Sequence, residues 1–270
     1  MENIIIPSSI EATPVEGEEN KVTITVSPCY PGYGTTLGNS LRRVLLSSLQ
    51  GGAATAVKIK GVDHEFSTID HVKEDVVEII LNLKMLRFRI HTHEPVEIEL
   101  IAKGEGDVTA DQFSKNSDVE VVSTKAHIAT LTDKDADFHL KLVVQKGRGY
   151  VPVEDREDEK LDIGYIAIDS VFTPVRMVNY HTENVRVGKM TNFDKLIMDI
   201  ATDGTITAEE AFATAAGMLV DQFQALQIGF GSTVTIGDVT AEDAPEETKE
   251  EEKEEADETK EEEAPEEGEE

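Results

Sequence analysis

A mixed helix-and-sheet fold is predicted by three observations. An apolar stripe at helical spacing follows residue 36, short alternating segments recur through the middle of the chain, and a second helical stripe follows residue 207. The last thirty positions belong to none of these, because charged residues dominate them.

Taken in order, Lys21 to Val26 (KVTITV) alternates polar and apolar residues, as a half-buried strand does. The following SPCYPGYG holds two prolines and two glycines and breaks that strand. Thr35 or Thr36 is the expected cap of the next element. There Leu37, Leu41, Val44, Leu45 and Ser48 form one helical face, and Gly51-Gly52 is expected to end the helix. AATAVKIKGVDHEFS reads as a strand, a turn and a second short strand. Asp70 is the expected cap of a second helix, whose stripe is Val72, Val76, Ile79, Ile80 and Leu83. Alternating segments at Leu86 to Ile90, Val96 to Ala102, Val119 to Val122, Phe138 to Gln145 and Ile163 to Val171 make the middle β-rich.

After Pro174 the character changes, and Val175 to Val187 and Leu196 to Ala201 read as strands of a second sheet. Thr207-Ala208-Glu209-Glu210 is a capping box, in which the threonine oxygen accepts from a backbone amide while Glu210 reaches back. In the helix that follows, Phe212, Ala216, Leu219, Phe223 and Leu226 are spaced four, three, four, three. That seam suits packing against another helix. The two apolar helices can supply a dimer interface or pack on their own sheet, and periodicity allows both.

The chain has 270 residues and a formal net charge of -30. Residues 241–270 contain 18 acidic side chains and three lysines, so half of the charge lies there. That segment lacks the apolar surface to offset the entropy of ordering, and it is expected to be disordered. An acidic chain with no basic stripe does not hold nucleic acid by itself, because such binding rests on neutralised phosphates. The single cysteine, Cys29, excludes an internal disulfide and a thiolate-rich metal site. MENIIIPSSIEA has no secretory character, and no window is long and apolar enough for a membrane helix, which points to the cytoplasm.

Candidate chemical motifs are few. Asp133, Asp135 and Asp137 begin like a calcium loop, but Phe138 and Val144 stand where that loop needs glycine and glutamate. His91 and His93 lack a distant third ligand and are expected at a solvated strand end. Lys146-Gly147-Arg148-Gly149-Tyr150 lacks the lysine–serine ending of a phosphate loop and opens no helix. It is expected to be a tight surface turn that presents Arg148 and Tyr150 to a protein partner. Asp155 to Glu159 reads as a solvated charge run, and no nucleophile elbow or reactive-cysteine context occurs. By its residues alone, the chain reads as an assembly protein.

Arg42 and Arg43 point about 100° apart on their helix. With Leu41, Val44 and Leu45 turned inward, at least one guanidinium must face solvent or a partner. The stretch TLGNSLRRVLLSSLQGGAATAVKIKGVDHEFSTIDHVKEDVVEIILNLK resembles the N-terminal region of the bacterial RNA polymerase α subunit. QKGRGYVPVE and VRVGKMTNFDKLIMDIATDGTITAEEAF continue the resemblance, which covers essentially residues 1 to 230.

The resemblance implies an α+β fold. A discontinuous dimerisation domain, residues 1–50 plus 174–235, would carry an inserted β-rich domain at 51–173, with the acidic tail at 236–270. It implies a homodimer that nucleates assembly of the β and β′ subunits, with omega and sigma in the complex and DNA met only through it. Arg43 aligns with the arginine expected to contact the large subunit, and Arg42, Arg148 and Tyr150 are taken with it. Leu37, Leu41, Leu45 and the Phe212–Leu226 seam are expected to form a two-fold interface. No cofactor is expected on this chain, since the catalytic magnesium would sit in β′. Where the family carries a C-terminal DNA-binding module, only the acidic tail follows Val239, so that module is expected to be missing. Two competing readings are a free-standing dimeric interaction protein with an acidic, chaperone-like tail, and a metal-dependent nucleotidyl enzyme using the His91/His93 region.

Overall fold

The computed structural model describes residues 4–18, 20–156 and 162–229. Two units are distinguished, 1–225 and 226–270, and the second is described only over helical residues 226–229. The fold is α+β, with two main sheets that each carry a hydrophobic core.

The chain opens with β1 (Ser9–Pro14), β2 (Lys21–Cys29) and α1 (Tyr33–Ser47). It then enters a long β-rich excursion. This holds β3 (Gln50–Ile59), α2 (Val76–Lys84), β4 (Phe88–Ile90), β5 (Val96–Lys103), β6 (Gly106–Thr109), β7 (Val119–Val121), β8 (His127–Leu131) and β9 (Asp137–Arg148). Three two-residue strands close it: β10 (Tyr150–Val151), β11 (Ile166–Ala167) and β12 (Ser170–Val171). The chain returns through β13 (Val175–Val187) and β14 (Met190–Thr202) to α3 (Ala208–Gly229).

The first sheet has the order β1-β2-β14-β13, so strands from both ends of the described chain lie side by side. Across β2 and β14, Val26 pairs with Leu196, Ile24 with Met198 and Val22 with Ile200. These side chains join Leu41, Leu45, Leu49, Val175 and Val178 in one core. The second sheet runs β5-β9-β3-β4-β7, with β11 also paired to β3. Alternation in β9 turns Phe138, Leu140, Leu142 and Val144 inward, where Val76, Ile79, Ile80 and Leu83 of α2 complete a second core.

Several local expectations are corrected. The second helix starts at Val76 with Asp75 as its cap, accepting from the Glu78 amide at 2.7 Å. Asp70 and Val72 precede it, in a segment zipped to β8 by Lys73 N–H to Thr130 O (3.0 Å) and by a Val72–Leu131 bridge. Tertiary pairing thus delays the helix by one turn. No second strand follows β3 before α2, and Ile163 to Val171 breaks into β11 and β12. Gly51-Gly52 does not end the helix, which stops at Ser47 with the Ser48 amide bonded to Val44 O at 2.9 Å. Both glycines lie inside β3, where bare backbone is needed: a Cβ on Gly51 would overlap the Phe172 carbonyl, and one on Gly52 would sit 2.7 Å from the Phe88 carbonyl. The capping box forms as expected, with Thr207 N–H to Glu210 Oε2 and Glu210 N–H to Thr207 Oγ1 both at 3.2 Å. The acidic tail and residues 157–159 of the charge run lie outside the described residues.

Candidate functional site

The start of α1 is unlike the expected threonine cap. Its N-cap is Gly32, at φ 85°, which has no side chain to offer. The Asp194 carboxylate from β14 replaces it, with Oδ2 accepting from the Gly32 amide at 2.8 Å and from the Gly34 amide at 3.1 Å. A negative oxygen at this end satisfies orphan donors and opposes the positive end of the helix dipole. Gly34 and Gly38 then let the helix lie close to the sheet. A Cβ at Gly34 would come 2.8 Å from the Asp194 Cβ, and one at Gly38 would come 2.6 Å from the Tyr180 ring.

This seating decides what α1 displays. Leu41 and Leu45 are buried in the chain's own core, Leu45 completely, and Leu37 packs half-buried beside them. Arg42 and Arg43 face outward. Neither guanidinium forms an ion pair or hydrogen bond with another described residue. By contrast, Arg89 donates to the Thr205 and Gly204 carbonyls and to Glu120, and Arg186 donates to the Gly188 carbonyl.

Arg148 ends β9 and pairs with Gln50, three residues beyond the last residue of α1. Gly149 makes the turn at φ 66°, and a Cβ there would lie 3.8 Å from the Ser47 carbonyl. Ser47 in turn donates its hydroxyl to the Arg43 carbonyl at 2.8 Å. The glycine-flanked turn therefore abuts the C-terminal end of α1. It leaves Arg148 exposed and Tyr150 60% exposed, again with no side-chain partner among the described residues. Gly147 supports the arrangement, since the Phe172 ring lies 2.6 Å from where its Cβ would be.

On α3, the residues that enter the chain's own core are Ala208, Ala211 and Ala215. The expected seam lies about one residue round the helix from this alanine stripe. Phe212, Ala216 and Leu219 are half-covered, and Phe223 is 64% exposed. Val220 is exposed beside them. Leu226, in the second unit, is 61% exposed. The fully buried positions are thus alanines, Phe212, Met218 and Leu219 pack at the edge of the same core, and Val220 and Phe223 lie open as large apolar side chains on the surface.

Sequence reasoning passed over two buried charges. Glu74 is buried against β8, where it accepts from the Thr130 amide (2.6 Å), the Thr130 hydroxyl (2.9 Å) and His127 Nε2 (3.1 Å). Burial pushes its pKa up, but these hydrogen bonds outweigh burial and hold it below the ordinary 4.5. Asp203 meets Arg87 Nε at 3.4 Å and also accepts from the Thr205 amide and hydroxyl. Burial lowers the Arg87 pKa, against the opposing pull of Asp203. Arg87 and Arg89 of the β4 region therefore grip the turn that leads into α3. Asp203-Gly204 is legible locally as a turn, but the charge partner of Asp203 is not, and no local signal marks Glu74.

The remaining candidates scatter. His91 and His93 are exposed, just past the end of β4. Asp133 accepts from the Asp135 amide within a turn, and Asp137 is engaged by Lys60 and Lys103. Among the described residues no three metal-ligating side chains converge, and no helix is long and apolar enough to cross a membrane.

Residues 57–173 match the family model described as the RNA polymerase Rpb3/RpoA insert domain. The chain is 51% identical over 210 residues to the DNA-directed RNA polymerase subunit alpha of Alkaliphilus oremlandii, covering 78% of this chain and 66% of that one. It is 49% identical over 213 residues to the subunit of the same name from Symbiobacterium thermophilum, covering 78% and 67%. With the Clostridium beijerinckii subunit the identity is 50% over 199 residues, covering 74% and 63%. The chain thus spans about two thirds of the length of these curated relatives.

Proposed function

The chain belongs to the bacterial DNA-directed RNA polymerase subunit alpha family, and on that premise we propose that it is a homodimeric scaffold on which the β and β′ subunits assemble. The observation that carries this reading is the open apolar face of α3. Its alanines enter the protomer's core, Phe212 and Leu219 are only half-covered at the edge of that core, and Val220 and Phe223 are exposed. A second copy of the same helix is the simplest self-complementary cover for such a face.

Arg42, Arg43, Arg148 and Tyr150 form the large-subunit contact in this reading. A guanidinium with no partner inside its own chain is ready to fork onto carboxylates or carbonyls of another. Leu41 and Leu45 support the interface from beneath, and Leu37 borders it, since the chain's own core already covers the first two. The dimerisation domain is read as residues 1–50 with 174–235 and the insert as 51–173, a division supported by the two separate cores and by the span of the family match.

The chain itself is non-catalytic in this proposal and binds no cofactor. Nucleotidyl transfer and its magnesium belong to the assembled enzyme, where omega, sigma and DNA are met through the complex.

The test is reconstitution. The full chain, mixed with separately purified β and β′ subunits of a bacterial RNA polymerase, is expected to run as a dimer, capture β, and then recruit β′ into an assembly that makes RNA on a template. A dimer that captures neither subunit would leave a free-standing interaction protein, and a monomer would end both readings.

A further inference from the structure

We infer that Asp194 is a positioning residue for large-subunit docking: its carboxylate seats the N-terminus of α1 and thereby places Arg42 and Arg43. This rests on the reading that the exposed face of α1 meets a large subunit.

Three separate features converge on this carboxylate. The β2–β14 register shifts at Asp194, where the step from Val26 to Cys29 in β2 opposes the shorter step from Leu196 to Asp194 in β14. Such an irregularity bends the pair locally and re-aims side chains. Gly32, in the left-handed region, leaves the helix start without a cap of its own, and one Asp194 oxygen takes both the Gly32 and Gly34 amides. Gly34 then lies directly on the Asp194 and Thr182 side chains, and Gly38 on Tyr180 and Leu196. The first half of α1 is thus pinned at its end and along one face, while the second half carries the arginines and is held by Leu41 and Leu45.

Leu41 and Leu45 stay buried in the core when this anchor is lost, so the helix keeps its place and is left free to turn about its own axis. A turn of about 10° moves a guanidinium about 6 Å from the axis by about 1 Å. Contact constellations tolerate only about 0.5 Å. A helix that is folded but loosely seated would therefore keep its guanidinium groups and lose their placement.

The experiment is a titration of β-subunit capture by the full-length chain, with circular dichroism and sedimentation as checks of fold and dimer. Asp194→Ala is expected to weaken capture at least about fivefold, the scale of losing a cap, with the dimer retained. Asp194→Asn keeps an acceptor oxygen and is expected to stay within about twofold of the parent. That rescue separates a seating role from a need for bulk at the site. Should Asp194→Ala fail to fold, Gly38→Ala carries the test, because it lifts the helix off Tyr180 without touching the cap. It supports the inference if capture weakens and overturns it if capture is unchanged. Full capture by folded Asp194→Ala, alongside loss in Arg43→Ala, overturns the positioning role. Full capture by Arg43→Ala refutes instead the docking reading beneath it.

Discussion

Replacing Phe223 with aspartate addresses the dimer directly. Phe223 is 64% exposed in the single chain. A phenylalanine offers about 200 Å², so about 130 Å² is open to a partner. At about 25 cal/mol per Å² that surface is worth about 3 kcal/mol per copy, and about 6 kcal/mol in a two-fold dimer that uses both copies. Association returns only part of such surface energy, so the dissociation constant is expected to rise by about two to four decades. Sedimentation velocity over a concentration series would read this as a dimer becoming a monomer. The monomer's own melting temperature should hardly move, because the ring packs on little within its own chain. A variant that keeps the parent's dimer constant would refute the placement of Phe223 in the interface and, with it, the argument from the open face of α3.

Arg43→Ala should leave the dimer intact but reduce β capture at least about tenfold, the scale of a desolvated arginine contact, in a pull-down at moderate salt. Leu45→Ala removes a fully buried side chain and should cost about 2–5 kcal/mol in urea denaturation. Gly147→Ala sets a methyl against the Phe172 ring and should cost about 1–3 kcal/mol in the same assay. Glu74 is held below its ordinary 4.5, so its contribution is fully present above that value and is lost as pH falls through the lower, folded-state value. Glu74→Gln should therefore melt below the parent at neutral pH, and the gap should close as pH is lowered below the ordinary glutamate value of 4.5. A gap that persists unchanged in acid would sink that account.

How far the sequence was legible differs between elements. Two local signals hold. The Thr207–Glu210 box involves atoms three residues apart and forms as expected. Val175 to Val187 carries its own alternation and forms a strand over that span. Elements whose start is set from elsewhere were misplaced. Asp75 rather than Asp70 caps α2, because residues 71–74 are held by β8 some sixty positions later. Gly51 and Gly52 carry the local signature of a helix stop, yet they serve close backbone approach to residues 172 and 88.

The sequence by itself determined the three helices and most of the longer strands, which faces are apolar, where charge accumulates and which family the chain resembles. Each of these is set by periodicity, composition or residue order along one strand of chain. Only the tertiary structure decided that α3 turns its alanines inward, that Asp194 caps a helix more than 150 positions before it, and that Arg87 grips Asp203. Two apolar stripes on one helix satisfy the same 3.6-residue period, and the choice between them depends on how closely a particular sheet can approach. A carboxylate looks the same in any stretch of sequence until folding brings unpaired amides to 2.8 and 3.1 Å from it.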